Sequence, residues 1–345
     1  MKRFRYIVLF LALAMSWCGG LRAQVPVKQL PEVTSTEGRE FFVAWLPNGG
    51  TLPSDQDLRL MLIASSRKSN TIVVEMPDGS TKNYPIAGGQ SVEIVFDLPD
   101  KPKIYWDLSA AEEETPLRKG IRVYSLNDEK FTLYSINQYG ITGTYSFDGA
   151  HILPVEALGT EYIVQTADAD EMATEFVIMT TKPGTTNVTI DLPVNSNKGK
   201  TQHIDIPLSG SKQIYIVRSK APNPEDPDDV IDLSGSTICA DQPIAVWSGN
   251  QLASVPNQDA MSKDHAYDQL LPVTKWGKKF LIPPTGNHTQ YNEIHVSGLL
   301  DNTSVVVRNL DGTKNWTMSS RDDSIVVLQG PLGGNLDGID RKSTR

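Results

Sequence analysis

A ten-residue phrase occurs twice in this chain, and the distance between its copies sets the size of the unit that folds. Leu153-Pro154-Val155-Glu156-Ala157-Leu158-Gly159-Thr160-Glu161-Tyr162 returns 118 residues later as Leu271-Pro272-Val273-Thr274-Lys275-Trp276-Gly277-Lys278-Lys279-Phe280. Leu, Pro, Val and Gly keep their places, with a bulky apolar residue before the glycine and an aromatic three after it. The period exceeds the roughly 20 to 50 residues of solenoid and propeller repeats and suits a small domain. Tandem copies of one module are therefore expected.

Strand signals fill the modules. Phe41 to Leu46, Leu58 to Ala64, Thr71 to Glu75, Ser91 to Phe96, Phe131 to Ile136, Tyr162 to Gln165, Phe176 to Thr180, Asn187 to Leu192, Gln213 to Val217, Ile244 to Trp247, Ser304 to Arg308 and Ser324 to Leu328 are short and rich in β-branched or aromatic residues. Gly, Pro, Asn or Asp bounds each of them, as strands require. Helical periodicity is confined to Leu108 to Lys119, where Pro116 limits it. A second recurrence, Asp128 to Asn137 against Asp241 to Asn250, has an offset of 113. Phe41-Phe42-Val43 stands 121 residues before Tyr162 and opens a further copy upstream. The spacing predicts an all-β chain of tandem antiparallel β-sandwich-like modules with an internal repeat of about 120 residues. The expected organisation is a signal peptide over 1–23, modules over 24–119 and 120–240, an incomplete third module over 241–330, and a tail over 331–345.

Lys2, Arg3 and Arg5 precede an apolar run from Tyr6 to Met15, and Leu21-Arg22-Ala23 offers a cleavage site before Gln24. This is the pattern of an export signal. The run is shorter than the about 20 residues that span a bilayer, so the chain is not expected to be an integral membrane protein. Lipid modification at Cys18 would need a small residue where Trp17 stands. Loss of Lys2, Arg3, Arg5 and Arg22 takes the net charge from −9 to −13. No basic cluster interleaved with aromatics occurs, so nucleic acid is excluded as a partner. Cys239 is then the one remaining cysteine, and stability must come from burial without disulfides.

One ordered set of motifs resembles a known family. Asp232-Leu233-Ser234-Gly235-Ser236-Thr237-Ile238 is followed by Asp241-Gln242-Pro243-Ile244-Ala245-Val246-Trp247-Ser248-Gly249-Asn250, then Asp264-His265, then Gln269-Leu270-Leu271-Pro272-Val273 and Trp276-Gly277-Lys278-Lys279-Phe280. Over roughly Gly120 to Leu328 this order resembles the N-terminal domain of IgG Fc-binding proteins, which also occurs in bacterial surface proteins. The resemblance implies a secreted or surface-attached binding region associated with Fc binding, mucus or adhesion. It carries over no contact residues, and the absence of the cysteines seen in animal members favours a bacterial-type member.

Residues able to carry chemistry are few. His151, His203, His265, His288 and His295 stand in no zinc spacing. Asp264-His265 with Asp268 is the densest local cluster and is expected in a loop, either orienting a ligand or solvated and capping. No cofactor is expected. Calcium is the one ion that Pro222 to Asp229, with four carboxylates, would suit by ligand type, but its prolines oppose convergence and an acidic surface loop is the simpler reading. There is no Gly-x-Ser-x-Gly elbow and no phosphate-binding glycine loop. Trp247 and Trp276 take repeat positions that mark them as core, whereas Trp106 and Trp316 flank turns and are expected at the surface, able to anchor a partner. The reading is an exported, non-enzymatic binding or adhesion protein for an extracellular protein or glycan. Its alternatives are a secreted carbohydrate-active hydrolase, which needs two facing carboxylates about 5 to 10 Å apart, and a structural spacer of a larger surface protein.

Overall fold

The strand-rich sequence folds into three successive antiparallel sandwiches, of which the first two are fused through a shared core. The computed structural model describes residues 36–49, 56–106, 112–141, 144–166, 172–199, 202–221, 231–253, 263–282, 292–309, 312–318, 324–329 and 336–341. The expected export signal, the 168–171 acidic stretch and the acidic loop at 222–229 lie outside them.

The first sandwich holds β1 (Glu40–Val43), β2 (Leu58–Ser66), β3 (Asn70–Glu75), β4 (Thr81–Ile86), β5 (Gln90–Phe96), β6 (Ile121–Ser125), β7 (Thr132–Ile141) and β8 (Thr144–Ile152). One sheet runs β1-β6-β3-β4 and the other β5-β2-β7-β8. β2 shows why: Leu58, Leu60, Leu62 and Ala64 alternate with more exposed residues and are buried, the period-2 pattern of a half-buried strand.

The second sandwich holds β9 (Gly159–Ile163), β10 (Thr174–Thr180), β11 (Thr185–Asp191), β12 (His203–Ser209), β13 (Ile214–Arg218), β14 (Thr237–Ala253) and β15 (Asp264–Gln269). β14 does the work that β6 and β7 share in the first. Its opening residues, Thr237 to Ala240, pair with β9 and β11. From Ile244 onward it pairs with β10, and further along with β15. The strand orders are β9-β14-β11-β12 and β13-β10-β14-β15, the same sequence of neighbours as in the first sandwich. The third holds β16 (Asn292–Ser297), β17 (Thr303–Asn309), β18 (Gly312–Met318), β19 (Ser324–Gln329) and β20 (Leu336–Arg341), with sheets β16-β19-β20 and β17-β18.

Three expectations about the layout are corrected. β6 and β7, beyond the boundary expected at residue 120, pair with β1, β2 and β3, and β8 pairs with β7, so that together they complete the first sandwich. Residues 336–341, expected as tail, form β20 against β19. Among the described residues the one short α-helix, α1, is Lys101–Ile104. It precedes the stretch expected to be helical, where residues 114–117 instead run along the free edge of β13, with Leu117 bridging Ile214.

The phrase that recurs in the sequence closes each sandwich on its own first strand. Pro154 bridges Phe41 of β1, and a Cβ on Gly38 would stand 2.2 Å from the Pro154 Cβ. Likewise a Cβ on Gly159, at the start of β9, would stand 2.6 Å from the Pro272 Cβ, so both sites need glycine. A single 3-10 turn follows each proline, Val155–Ala157 and Val273–Lys275.

β10 is buried at every position, unlike β2. Phe176 and Ile178 face the second sandwich's own core, with Tyr162, Val188, Ile190, Ile238 and Val246. Val177 and Met179 face the other way, and with Ile214, Ile216, Ala245 and Trp247 they enter the core of the first sandwich. An uninterrupted apolar run is what a strand covered on both faces requires. Lys212, 2% exposed, bolts the joint: its Nζ donates to Glu75 Oε1 at 2.5 Å and to the Met76 carbonyl at 2.8 Å. Although burial opposes it, Lys212 and Arg122 hold the Glu75 carboxyl below its usual range.

Trp247→Ala is therefore expected to cost about 3–5 kcal/mol. The loss should appear in both fused sandwiches at one denaturant concentration, as read by pulse proteolysis across a urea series.

Candidate binding surface

The sheet β5-β2-β7-β8 has one face in the core and one in solvent, and its outward face is unusually apolar. Along β7, Leu133, Ser135 and Asn137 point inward and are fully buried, so Tyr134, Ile136 and Gln138 point out. Register places Glu93, Ile63, Tyr134 and His151 in one row across the four strands and Val95, Met61, Ile136 and Gly149 in the next. Phe147 stands beside Gln138 in the row beyond. Tyr134 is 43% exposed, Phe147 51% and Val95 40%. The Tyr134 and His151 rings meet at 4.9 Å, and burial pushes the His151 pKa down. This is a flat patch of aromatic, aliphatic and thioether side chains on a rigid sheet, the composition of a protein-binding surface.

An acidic seam borders the patch where β8 meets β15. The two strands satisfy each other with side chains in place of a backbone ladder. Asp264 Oδ1 accepts the Phe147 N–H at 2.8 Å, and Ser146 Oγ accepts the His265 N–H at 2.9 Å. Asp148 Oδ2 accepts the Tyr267 N–H at 2.6 Å, and Gln269 Oε1 accepts the Leu153 N–H at 2.7 Å. Burial pushes Asp148 up to about 6, against the bonds from Tyr267 and Gly149, and the charges of Asp268 and Asp264 add to the rise.

The structure thus places Asp264, His265 and Asp268 on a strand and not in the expected loop. Asp264 and Asp268 are exposed, whereas His265 is 3% exposed. Its ring lies 5.2 Å from that of Tyr267, and burial pushes it down to about 3 despite the opposing backbone of Pro47, so it is a neutral interior side chain. Trp106, expected at the surface, is 1% exposed, because the Arg218 guanidinium and the joint between the sandwiches cover it. Trp316 is half-buried on β18, packed toward Met318. Trp247 is fully buried, and Trp276 is half-buried with its Nε1 donating to the Leu271 carbonyl. The sequence does not single out Tyr134 as a surface residue, because it shares a repeat position with the buried Trp247.

A second acidic group lies under Trp106. Glu113 and Glu175, 1% and 0% exposed, flank Arg218. Its Nε is 3.3 Å from Glu175 Oε2 and its Nη1 3.8 Å from Glu113 Oε1, while its Nη2 donates to Gln251 Oε1 at 2.6 Å. One guanidinium cannot neutralise two ionised carboxylates, and burial, with the Glu113 charge adding to it, pushes Glu175 up to about 8 against the pull of Arg218. This close carboxylate pair is sealed from any sugar chain. Among the described residues no group of three His, Cys, Asp or Glu side chains is placed to hold a metal ion, and no helix is long and apolar enough to cross a membrane.

Antiparallel sandwiches fused through a shared core, with one aromatic sheet face open to solvent, define an all-β protein. The IgGFc binding protein family matches residues 148–329, more than half of the chain, and the chain belongs to that family. It is similar to the human IgGFc-binding protein, 25% identical over 268 residues, which make up 76% of this chain and 4% of that protein's length. A solved structure described as a Ca2+-stabilized adhesin that helps an Antarctic bacterium reach out and bind ice aligns over 89% of this chain and 73% of its own at 10% identity, but its TM-score of 0.14 is too low to argue from.

The raised Glu175 pKa gives a signed prediction. The folded state keeps a proton that the unfolded carboxyl releases near 4.5, so this contribution to stability is full below that pH and is lost as pH rises to about 8. Between pH 7 and 8 the wild type should lose up to about 1.4 kcal/mol per pH unit from this group. Urea midpoints of Glu175→Gln should be flatter over the same interval; parallel profiles for the two proteins would remove the assignment.

Proposed function

We propose that this chain is an exported, non-enzymatic binding protein that holds an extracellular protein partner on the outward face of β5-β2-β7-β8, with Asp264 and Asp268 as an acidic rim. The carrying observation is the exposure of Tyr134 and Phe147 on that face. Large apolar side chains that stay in solvent on a strand otherwise selected for a sandwich core are costly to solubility unless something covers them in use. The neighbouring Met61, Ile63 and His151 are half-buried and give the patch a dense centre that a partner would desolvate, and such centres carry most of the energy in protein interfaces. Family membership makes the Fc portion of immunoglobulin G the first partner to test, since Fc binding is what the relative's name describes. The apolar N-terminal run with its basic start supports export, and surface or extracellular localisation follows from it.

Biolayer interferometry against Fc, and against pooled extracellular glycoproteins should Fc fail, tests this reading. Tyr134→Ser with Phe147→Ser should weaken binding at least tenfold, while thermal stability stays within about 0.5 kcal/mol because both side chains are exposed. Undiminished binding by the double variant would move the interface elsewhere, and hydrolysis of a glycan without any stable complex would end the non-enzymatic reading.

A further inference from the structure

The seam beside the aromatic face carries more charge than its structural work needs. Ser146 Oγ and Gln269 Oε1 accept the His265 and Leu153 N–H groups at 2.9 and 2.7 Å, so neutral oxygens can satisfy the donors between β8 and β15. Asp264 meets the same need with one oxygen, its Oδ1 accepting the N–H groups of Phe147 and His265, both at 2.8 Å. Asp268 also works through Oδ1, which accepts the Gln269 N–H at 2.8 Å. Asparagine at either position could accept the same bonds without a charge. The charges are also at odds with one another: burial, and then the charges of Asp268 and Asp264, oppose ionisation of Asp148. Among the described residues no Lys, Arg or His forms an ion pair with any of the three carboxylates.

This surplus charge lies on the side of the sheet that carries the aromatics. Tyr267, Ala150 and Ile152 are buried in one core, which fixes the inward faces of β15 and β8. Alternation then turns Asp264 and Asp268 outward along β15, and Phe147, Gly149 and His151 outward along β8. On the far edge Glu93 closes the row of Ile63 and Tyr134. The cation of these rows is Arg59, which stands opposite Gln138 in the row of Phe147. An apolar centre with carboxylates on two edges is complementary to apolar side chains flanked by cations. A second copy of this chain fits poorly, because its net charge of −9 sets acid against acid.

We propose, resting on the reading of this face as a protein-binding surface, that its partner is a protein whose contact surface sets Lys or Arg beside apolar side chains, and that Asp264 and Asp268 select it. The apolar centre supplies buried area. The carboxylates speed encounter with cationic surfaces and penalise acidic ones. Because both carboxylates are exposed, their effect is screened by salt, which separates it from the contribution of Tyr134 and Phe147.

The test uses the whole chain and, as probes, two fluorescently labelled peptides, Lys-Phe-Lys-Trp-Lys-Phe-Lys and its counterpart with Glu in place of every Lys, read by anisotropy. The lysine peptide is expected to bind about tenfold more tightly than the glutamate peptide. Its affinity should fall as NaCl rises from about 20 to about 300 mM. Asp264→Asn with Asp268→Asn should weaken it about fivefold and flatten the salt dependence, while the melting temperature of the chain stays unchanged. Asp191→Asn with Asp205→Asn removes the same charge from the exposed side of β11 and β12 and should leave the affinity as it is. Equal weakening by the two pairs of substitutions would make the attraction a property of net charge and overturn the proposal. Equal affinity for the two peptides, lost together in Tyr134→Ser with Phe147→Ser, would overturn the cationic partner and leave the binding face standing. Lysine-peptide binding that this last variant does not weaken would remove the face itself. Failure of the lysine peptide to bind, or self-association of the chain that the same variant abolishes, would also overturn the proposal.

Discussion

The sheet that contains β10, β13 and the second half of β14 is the structure's keystone, because it is covered on both faces by different cores. A sandwich normally needs two sheets with one buried face each. Here the outer face of one sandwich closes the side of another, so Val177, Met179, Ile216 and Trp247 stabilise a unit to which their own strands do not belong. At about 25 cal/mol per Å² of apolar area, burying Trp247 alone is worth several kcal/mol to the joint. The arrangement also explains the buried charges. Lys212 and Arg218 sit at the two ends of β13, where a sheet built from one sandwich meets loops of the other, and each is matched by carboxylates from across or beside that joint.

What could be read from the sequence follows from this geometry. Strands with strong β-branched content, such as Asn70–Glu75 and Thr185–Asp191, declare themselves, and so does the phrase at Leu153 and Leu271, because its Pro packs against a glycine at the start of the sandwich that it closes. Thr81–Ile86 and His203–Ser209 were not legible as strands: both are solvent-facing, polar and contain Pro, and they hold their place through pairing with β3 and β11. Asp264–Gln269 looked like a loop for the same reason, since carboxylates that satisfy the neighbouring strand's N–H groups read as turn residues when the neighbour is unknown. The turn beside Trp106 points to the surface, and only the position of Arg218, more than a hundred residues away, shows it to be covered.

The seam of Asp148, Asp264 and Gln269 has a physical logic of its own. Two sheet edges that approach without a continuous ladder leave N–H groups that water cannot reach, and each unsatisfied donor costs about 1–3 kcal/mol. Side-chain oxygens supply acceptors at irregular spacing, which a second backbone cannot. The consequence is a concentration of carboxylates beside a largely apolar face, with Asp148 and Asp268 raised in proton affinity by burial.

Tyr134 and Trp247 show how similar strands acquire different roles. Tyr134 pairs with Ile63 and Trp247 pairs with Val177, in sheets with the same order of neighbours. The tryptophan is fully buried because the first sandwich covers it, and the tyrosine is open because nothing among the described residues covers it in turn. An aromatic on that face is thus suited to being covered, and in one of the two sandwiches the chain supplies the cover itself. The exposed aromatic face and the internal joint are then two forms of one surface chemistry, distinguished by whether a sandwich of the same chain lies over it.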